Sequence, residues 1–272
     1  RGQALAIMLV VAGGIAMLVM SQVALDTLNN SRLRFYEAQR LSDIWVDAKR
    51  APEAVARQVA ALPEVAEVES RVQAFAKLKL PGFDEPVSAQ MISLPDDGGQ
   101  PLMNGLHLRQ GRLPAALSRD EAVVSDAFAE RHGLKPGDRL RATVNGHAQW
   151  FRLVGVATSP EFLYPMKPGA IFADHKHYAI LWMPRRVLEA AMNMAGAFNQ
   201  LVVKLAVARQ DRVQEGAPGA DGQERASGGA VPRAGRHDAA DAALARARQE
   251  AMAIDAIERL MERWGGLEAV GR

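Results

Sequence analysis

Cysteine is absent from the 272-residue chain. Without a thiol the protein can form no disulfide bond, no zinc–thiolate site and no cysteine nucleophile. The absence is compatible with an oxidising compartment, where disulfide-bonded proteins also reside. Any catalytic or metal site must therefore be built from other residue types.

A large excess of charge of one sign is also missing. The chain has 33 Lys and Arg residues against 31 Asp and Glu residues, so its formal net charge is +2. Nucleic-acid-binding domains are strongly basic and carry their Lys and Arg residues in clusters. The near balance argues against a dedicated nucleic-acid binder, and we expect no nucleic-acid partner.

Motifs that mark common enzyme classes are missing as well. There is no GxxxxGK[ST] phosphate loop and no nucleophile elbow around a serine. One segment, "DHKH" (Asp174 to His177), has metal-ligand residue types, but it lacks a third fixed ligand and is interpreted as a surface loop. Glu161, in "SPEFLYP", is interpreted as a polar group in a rigid turn. We predict no enzyme activity, no cofactor and no metal, so any ATP must be hydrolysed by another chain.

A long apolar run is present near the start of the chain. No charged residue occurs between Arg1 and Asp26, and Ala4 to Leu25 is almost wholly apolar. About twenty apolar residues are enough to cross a bilayer, so this run predicts a transmembrane helix within residues 1–28. A secretory signal and a buried core helix are the alternatives; "MSQVALD" is a poor cleavage site.

The segment that follows predicts a stalk helix over residues 29–41 that passes directly into a strand. No Gly or Pro occurs between Ser21 and Ala51, and helices rarely bend without one. A rigid lever is expected here, although a short junction set only by packing is an equal alternative. The residues expected to form this coupling junction are Phe35, Tyr36, Arg40, Asp43, Trp45, Lys49, Arg50 and Pro52.

The next pattern is strand, helix, strand. "SDIWVDAK" is rich in β-forming residues, and "EAVARQVAALPEV" places Val55, Val59 and Leu62 on one helical face. "VAEVESRVQAFAKLKL" alternates apolar and polar residues in its second half, as a half-buried strand does. Over residues 42–106, this order predicts the first half of a split βαβ unit.

A β-rich texture begins at His107 and extends over residues 107–182. "EAVVS" predicts a strand and "DAFAERHGL" a short helix that ends at a Gly cap. "KPGD" predicts a tight turn, and "NG" between "LRATV" and "HAQWFRLVGVA" is the strongest short hairpin signal. We therefore predict a small β-rich subdomain inserted into the α/β unit.

The second half of that unit is predicted to begin over residues 183–208, with the helix "MPRRVLEAAMNMAGAF" and the strand "NQLVVKLAV". Residues 209–241 are rich in Gly, Ala, Arg and Asp and nearly free of large apolar residues, which predicts a disordered insert. A solvated loop is favoured there over an Arg-rich lipid-binding segment. A closing helix is predicted within residues 242–272, with Ile254, Ile257 and Met261 on one face. The fold class is α+β.

Several of these segments together resemble the permease subunits of FtsX/MacB-type ABC transporters. They are the apolar helix, "FYEAQRLSDIWVDAKRAP", "ALPEVAEVESRV", "LPDDGGQPLMNGLHLRQGRLP", "EAVVSDAFAERHGLKPGDRL", "LVGVATSPEFLYP" and "LWMPRRVLEAAMNMAGAFN". The resemblance covers nearly the whole chain except Arg209 to about Asp241. It implies a first membrane helix followed by a porter-like extracytoplasmic domain that is split by a β-rich insertion.

The resemblance also implies partners and a location. The implied partners are an ABC-type ATP-binding subunit, a second permease copy, a periplasmic adaptor protein and membrane lipid. The folded domain would lie in the periplasm, attached to the inner membrane, and would couple ATP-driven motion to export or to the periplasmic partner. The alternative is a membrane-anchored extracytoplasmic binding or sensor module with a single helix.

Overall fold

The computed structural model describes residues 13–24, 27, 36, 38–163, 165, 172, 174–206, 235–264 and 267–271. Among the residues so described, no helix combines the length and the apolar character needed to cross a bilayer. The apolar run predicted to span the membrane, Ala4 to Leu25, lies partly outside these ranges. Its described part, residues 13–24, is helical and exposes large apolar side chains such as Ile15, Met17 and Met20.

The described part of the domain contains eleven strands, four α-helices and one 3₁₀ turn. In chain order they are β1 (Ile44–Pro52), α1 (Glu53–Ala60), β2 (Val65–Arg71), β3 (Gln73–Leu80), β4 (Phe83–Leu94), β5 (His107–Gly111), β6 (Glu121–Ser125), α2 (Asp126–His132), β7 (Arg139–Val144), β8 (His147–Thr158), the 3₁₀ turn (Pro160–Phe162), β9 (Tyr178–Pro184), α3 (Arg185–Met192), β10 (Ala197–Leu205), α4 (Gly235–Arg263) and β11 (Leu267–Gly271).

The first sheet is four-stranded and has the order β11-β1-β10-β2, with every neighbouring pair antiparallel. Apolar residues alternate along its strands, so that Ile44 and Val46 of β1 face one side together with Val203 of β10. Helices α1 and α4 cover this side with Val55 and Ile257. The opposite side carries Trp45 and Val202 as well as Asp47 and Gln200, and Asp47 accepts a hydrogen bond from Gln73 of β3.

The second sheet closes into a barrel. Its order is β5-β8-β6-β9-β4-β3-β7, and β7 also pairs with the first half of β8, so six strands form a continuous ring. The interior is filled by small and branched residues, including Ala76, Leu140 and Leu181. Helices α2 and α3 add Phe128 and Leu188 to the same core. The β-rich texture of the sequence therefore corresponds to a closed barrel with packed helices.

The chain changes sheets at Val72, which lies between β2 and β3. "VAEVESRVQAFAKLKL" was predicted as one strand, but β2 belongs to the four-stranded sheet and β3 to the barrel. The β-rich part therefore begins at residue 73 and not at residue 107, and α3 still packs into the barrel core, beyond the predicted boundary at residue 183. The second half alternates as a half-buried strand does, and no Gly or Pro separates it from β2, so the sequence pattern could not reveal that the pairing partner changes.

The predicted turns and caps of the barrel are confirmed. Helix α2 ends at Gly133 with a left-handed φ of 65°, and β7 and β8 form an antiparallel hairpin around Asn145 and Gly146. Both hairpin residues have positive φ, 46° and 81°. A two-residue turn of this type matches the twist of the strands and requires positive φ at both positions, which is why the Asn-Gly sequence signals it.

The closing helix α4 begins at Gly235 rather than at residue 242. Residues 207–234, which make up most of the segment predicted to be disordered, lie outside the described residues. Ala253, Ile257 and Met261 of α4 are fully buried against the four-stranded sheet. The predicted apolar face of this helix is therefore present at Ile257 and Met261.

Candidate functional site

The helix that enters the folded domain ends in a defined cap. Arg40 has a left-handed φ of 50°, and the Leu41 amide donates to the Tyr36 carbonyl over 3.0 Å. A bond across six residues around a left-handed residue is the Schellman pattern that terminates helices, a position usually taken by Gly. The helix therefore ends close to residue 41, where the stalk helix was predicted to end, although no Gly or Pro is present.

Beyond this cap the chain is fastened to strand β10. The Asp43 amide donates to the Val203 carbonyl over 2.9 Å, and the Asp43 carboxylate accepts from the Leu205 amide over 3.0 Å. The Lys204 ammonium lies 3.1 Å from the same carboxylate, and Arg246 of α4 lies 3.6 Å from it. Asp43 therefore joins the entry segment to both β10 and the closing helix.

A loop between β4 and β5 holds the other side of the entry segment. The amides of Asn104 and Gly105 donate to the carbonyls of Arg40 and Gln39 over 3.1 and 2.9 Å. The Asn104 side chain, in a residue that is 3% exposed, accepts from the Ser42 amide over 2.9 Å. A β-carbon at Gly105 would lie 2.7 Å from Oε1 of Gln39, so a larger residue there would require the flexible end of the Gln39 side chain to move.

Asn104 is in turn connected to a buried ion pair. Its Nδ2 donates to Glu161 Oε2 over 3.0 Å, and Arg71 Nη1 donates to the same carboxylate over 2.8 Å. The side chains of Arg71 and Glu161 are only 6% and 10% exposed. Arg71 Nε also donates to Gln200 of β10 over 2.6 Å. Buried charges persist when they are paired and hydrogen-bonded on several sides, as here.

The hydrogen bonds continue from Gln200 into the barrel. Gln200 and Gln73 both donate to Asp47, over 2.7 and 2.8 Å. Gln90 donates to Gln73 over 2.9 Å, and the Tyr178 hydroxyl donates to Gln90 over 2.9 Å. Burial raises the pKa of Tyr178 to about 12, so its hydroxyl stays protonated and can act as the donor. A continuous polar chain thus links the entry segment to barrel strands β4 and β9.

The eight residues predicted to form the junction fall into separate places. Tyr36, Arg40 and Asp43 lie at the junction, where Arg40 forms an exposed ion pair with Glu67. Phe35 lies outside the described residues. Trp45 lies on β1, and its buried Nε1 has no hydrogen-bond partner among the described residues.

The remaining predicted residues lie at the far end of β1. Lys49 and Arg50 are exposed in a stretch where the pairing between β1 and β10 shifts register, and Pro52 precedes helix α1. A strand advances about 3.3 Å per residue, so Pro52 is on the order of 25 Å or more from Asp43. The structure therefore does not bring Lys49, Arg50 and Pro52 to the junction.

Several junction residues were not predicted from the sequence. Asn104 contacts the entry segment only through the tertiary fold, which also brings Arg71 to Glu161 and Glu69 to Met103, although Glu161 had been recognised as a polar turn residue. Glu69 accepts from the Met103 amide over 2.9 Å, and burial raises the pKa of its carboxyl. The one local signal was the Asn-Gly pair at residues 104–105, which marks a turn that admits positive φ.

The described residues hold no group of three or more His, Asp or Glu side chains that could bind a metal ion. In the "DHKH" loop, His177 contacts Asp174 and Glu85 over 2.8 and 2.6 Å, and hydrogen bonds to both carboxylates raise its pKa. A cavity of about 850 Å³ lies elsewhere, between α3 and the β7–β8 hairpin. Neither the loop nor the lining of this cavity includes a residue of the junction.

Comparison with known proteins identifies structures but no sequence family. No family model matches the chain, and no curated protein matches it. The periplasmic region of MacB from Actinobacillus actinomycetemcomitans is 13% identical, with a TM-score of 0.40 over 68% of this chain and 85% of that one. The extracellular domain of the noncanonic ABC-type transporter YknZ from Gram-positive bacteria is 14% identical, with a TM-score of 0.38 over 62% and 87%.

A third similar structure is a domain of a protein described as a permease from Porphyromonas gingivalis. It is 17% identical, with a TM-score of 0.38 over 64% of this chain and 81% of that one. Two of the three structures are thus described as the periplasmic region of MacB and the extracellular domain of an ABC-type transporter.

Proposed function

We propose that this chain is the first membrane helix and the extracytoplasmic domain of an ABC transporter permease subunit. In this proposal the four-stranded sheet with α1 and α4 is the porter-like split βαβ unit, and the barrel is its β-rich insertion. A separate ATP-binding subunit supplies the energy, and a second permease copy completes the membrane part. The domain couples the resulting movement to export or transmits it to a periplasmic adaptor.

The observation that carries the proposal is the way the entry segment is held. Residues 39–43 are hydrogen-bonded to β10 on one side and to the loop at Asn104 on the other. The polar chain through Glu161, Arg71 and Asp47 then reaches the barrel. A helix end that is fixed on two sides moves together with its surroundings, whereas a flexible linker would absorb the movement.

The lever that we propose is therefore a capped and clamped helix end, not a continuous rod. The left-handed turn at Arg40 changes the direction of the chain without loosening it, because Asn104 and Asp43 hold the residues on either side. Movement of the helix would reach the four-stranded sheet through β1 and β10, and the barrel through Glu161. Each path consists of backbone hydrogen bonds or buried polar contacts.

A flexible insertion tests this mechanism in the assembled transporter. A Gly-Gly-Ser-Gly insert between Gln39 and Arg40 should leave membrane insertion and basal ATP hydrolysis intact, while transport or activation of the external partner falls sharply. The matched control places the same insert in the exposed turn at Gly82 between β3 and β4, where transport should persist. Normal transport with the hinge at residue 39 would favour the alternative of a passive binding or sensor module.

The proposed topology has its own test, for which the natural absence of cysteine is an advantage. Ala148 is exposed on β8, so an Ala148→Cys variant presents a single thiol on the folded domain. In intact spheroplasts this thiol should react with a membrane-impermeant reagent. Reaction only after lysis would place the domain in the cytoplasm and contradict the proposal.

A further inference from the structure

One outer surface of the barrel is strongly basic. Along β3, β7 and the first half of β8, residues whose neighbours fill the core alternate with residues that point outward. The outward residues of this surface, which we call the basic barrel face, are Phe75, Lys77, Lys79, Arg139, Arg141, Trp150 and Arg152, and all are exposed. These three strand segments contain no Asp or Glu residue.

Cations lie directly opposite one another on this face. Lys79 pairs with Arg141 across β3 and β7, and Arg139 pairs with Arg152 across β7 and β8. Like charges at opposed positions of a sheet lower its stability. Arg152 is compensated by Glu121, at 2.6 Å, but Lys79, Arg139 and Arg141 have no ion pair among the described residues. A local arrangement that opposes stability is typical of a surface used for binding.

Two large aromatic residues accompany these charges. Phe75 is 54% exposed and Trp150 is 56% exposed, both on the same outer surface. Exposed aromatic rings beside arginine are the residues that contribute most to protein–protein binding. Arginine also binds carboxylates through two parallel hydrogen bonds, which fixes the orientation of an acidic partner.

The position of the face favours a protein partner over the bilayer of the entry helix. Trp150 lies nine residues before Ser159, which contacts the junction loop at Asn104. At about 3.3 Å per residue, β8 carries the basic barrel face roughly 30 Å from the junction. The choice of a protein partner over the bilayer rests on the proposed function, because it assumes that the entry helix leads to the membrane. The charge arrangement of the face is independent of that assumption.

We propose that the basic barrel face binds a protein segment that alternates acidic and aromatic residues. Carboxylates would neutralise the unpaired cations of β3 and β7, and aromatic rings would pack on Trp150 and Phe75. Binding would relieve the repulsion between Lys79 and Arg141, so the charges that weaken the free barrel would strengthen the complex.

The test uses the full chain in a neutral detergent and a fluorescein-labelled peptide of alternating Glu and Tyr. In the Arg139→Glu/Arg141→Glu variant both like-charge pairs become opposite-charge pairs, so it should fold with a melting temperature equal to or above that of the parent. We expect the anisotropy-derived Kd for the peptide to rise at least about tenfold. Trp150→Ala should also weaken binding without altering the charge.

The matched control is Arg57→Glu/Arg131→Glu, which makes the same change of net charge at exposed helical positions. Its Kd should stay within about twofold of the parent, since distant surface charges are screened by salt. Equal losses in both double variants, or no peptide binding by the parent chain, would overturn the proposal. Binding of phosphatidylglycerol-containing vesicles without binding of the peptide would overturn it in favour of a membrane surface.

Discussion

Arg71 and Glu161 form a buried ion pair between two parts of the chain that lie 90 residues apart, with Arg71 Nη1 2.8 Å from Glu161 Oε2. Arg71 ends the last strand that the chain contributes to the four-stranded sheet before it enters the barrel, and Glu161 lies just after β8 of the barrel. The pair therefore fastens the sheet to the barrel beside the entry segment.

Breaking this pair on one side should destabilise the domain strongly. Arg71→Met leaves the Glu161 carboxylate buried without its cation, which costs about 3–5 kcal/mol in comparable pairs. The double variant Arg71→Met/Glu161→Leu removes both charges and should be less destabilised than Arg71→Met alone. Urea unfolding of the parent, both single variants and the double variant measures the coupling. Additive losses would show that the two groups act independently.

The cap at Arg40 makes a prediction about backbone conformation. Arg40→Gly relieves the left-handed φ of 50° and loses only an exposed ion pair with Glu67, so the free energy of unfolding should change by less than about 1 kcal/mol. Arg40→Val should cost about 2 kcal/mol, because β-branched residues avoid this conformation. Glu67→Gln isolates the ion pair. Equal stability of the Gly and Val variants would contradict the left-handed cap.

A comparison of alanine substitutions at two glycines distinguishes the cost of close packing from the cost of backbone strain. Gly111 and Gly82 have nearly equal φ values of 72° and 73°. A β-carbon at Gly111 would lie 2.1 Å from the Val154 carbonyl oxygen, whereas a β-carbon at Gly82 would have no other atom within 4 Å. Gly82→Ala should cost about 1 kcal/mol from conformation alone. Gly111→Ala should cost more than about 3 kcal/mol, because β5 must separate from β8. Thermal melting of both variants tests the difference.

The lowered pKa of Glu121 predicts how the stability of the domain depends on pH. Its carboxylate accepts from Arg112, Arg152 and the Ala115 amide, and the Arg112 hydrogen bonds are the main cause of a pKa lowered from 4.5 to about 2. The unfolded chain takes up this proton first as pH falls. The stabilisation is therefore complete above about pH 4.5 and is lost progressively towards pH 2.

The Glu121→Gln variant tests that assignment. At pH 7 it should be less stable than the parent by about 2 kcal/mol, since hydrogen bonds to a charged group are lost. The difference should shrink as the pH falls below about 4.5, because the parent loses the same interactions there. Asp84→Asn, at an exposed carboxylate, serves as the control. A difference that stays constant with pH would show that the ionisation of Glu121 does not contribute.

Local features of the domain were predictable from the sequence because they depend on neighbours in the chain. The Asn145-Gly146 hairpin follows from the positive φ that its turn demands, and Gly133 follows from the left-handed end of α2. The buried faces of α1 and α4, with Val55, Val59 and Ile257, follow from helical periodicity.

The pairing of strands was not predictable in the same way. The chain leaves the four-stranded sheet at Val72, but an alternating strand looks alike whichever sheet it joins. The basic barrel face was hidden for a related reason. Its cations are spaced two apart on separate strands, and the chain as a whole is nearly neutral, so no run of charge marked the surface.

The sequence by itself determined the residue types available for chemistry, the apolar run at the start, the short helices and the tight turns of the barrel. Each of these depends on composition or on contacts within a few residues. The tertiary structure alone decided that Asn104 and Asp43 fasten the entry segment to its surroundings, and that Arg71 meets Glu161. These contacts join residues far apart in the chain, and their geometry exists only once both sheets have formed around them.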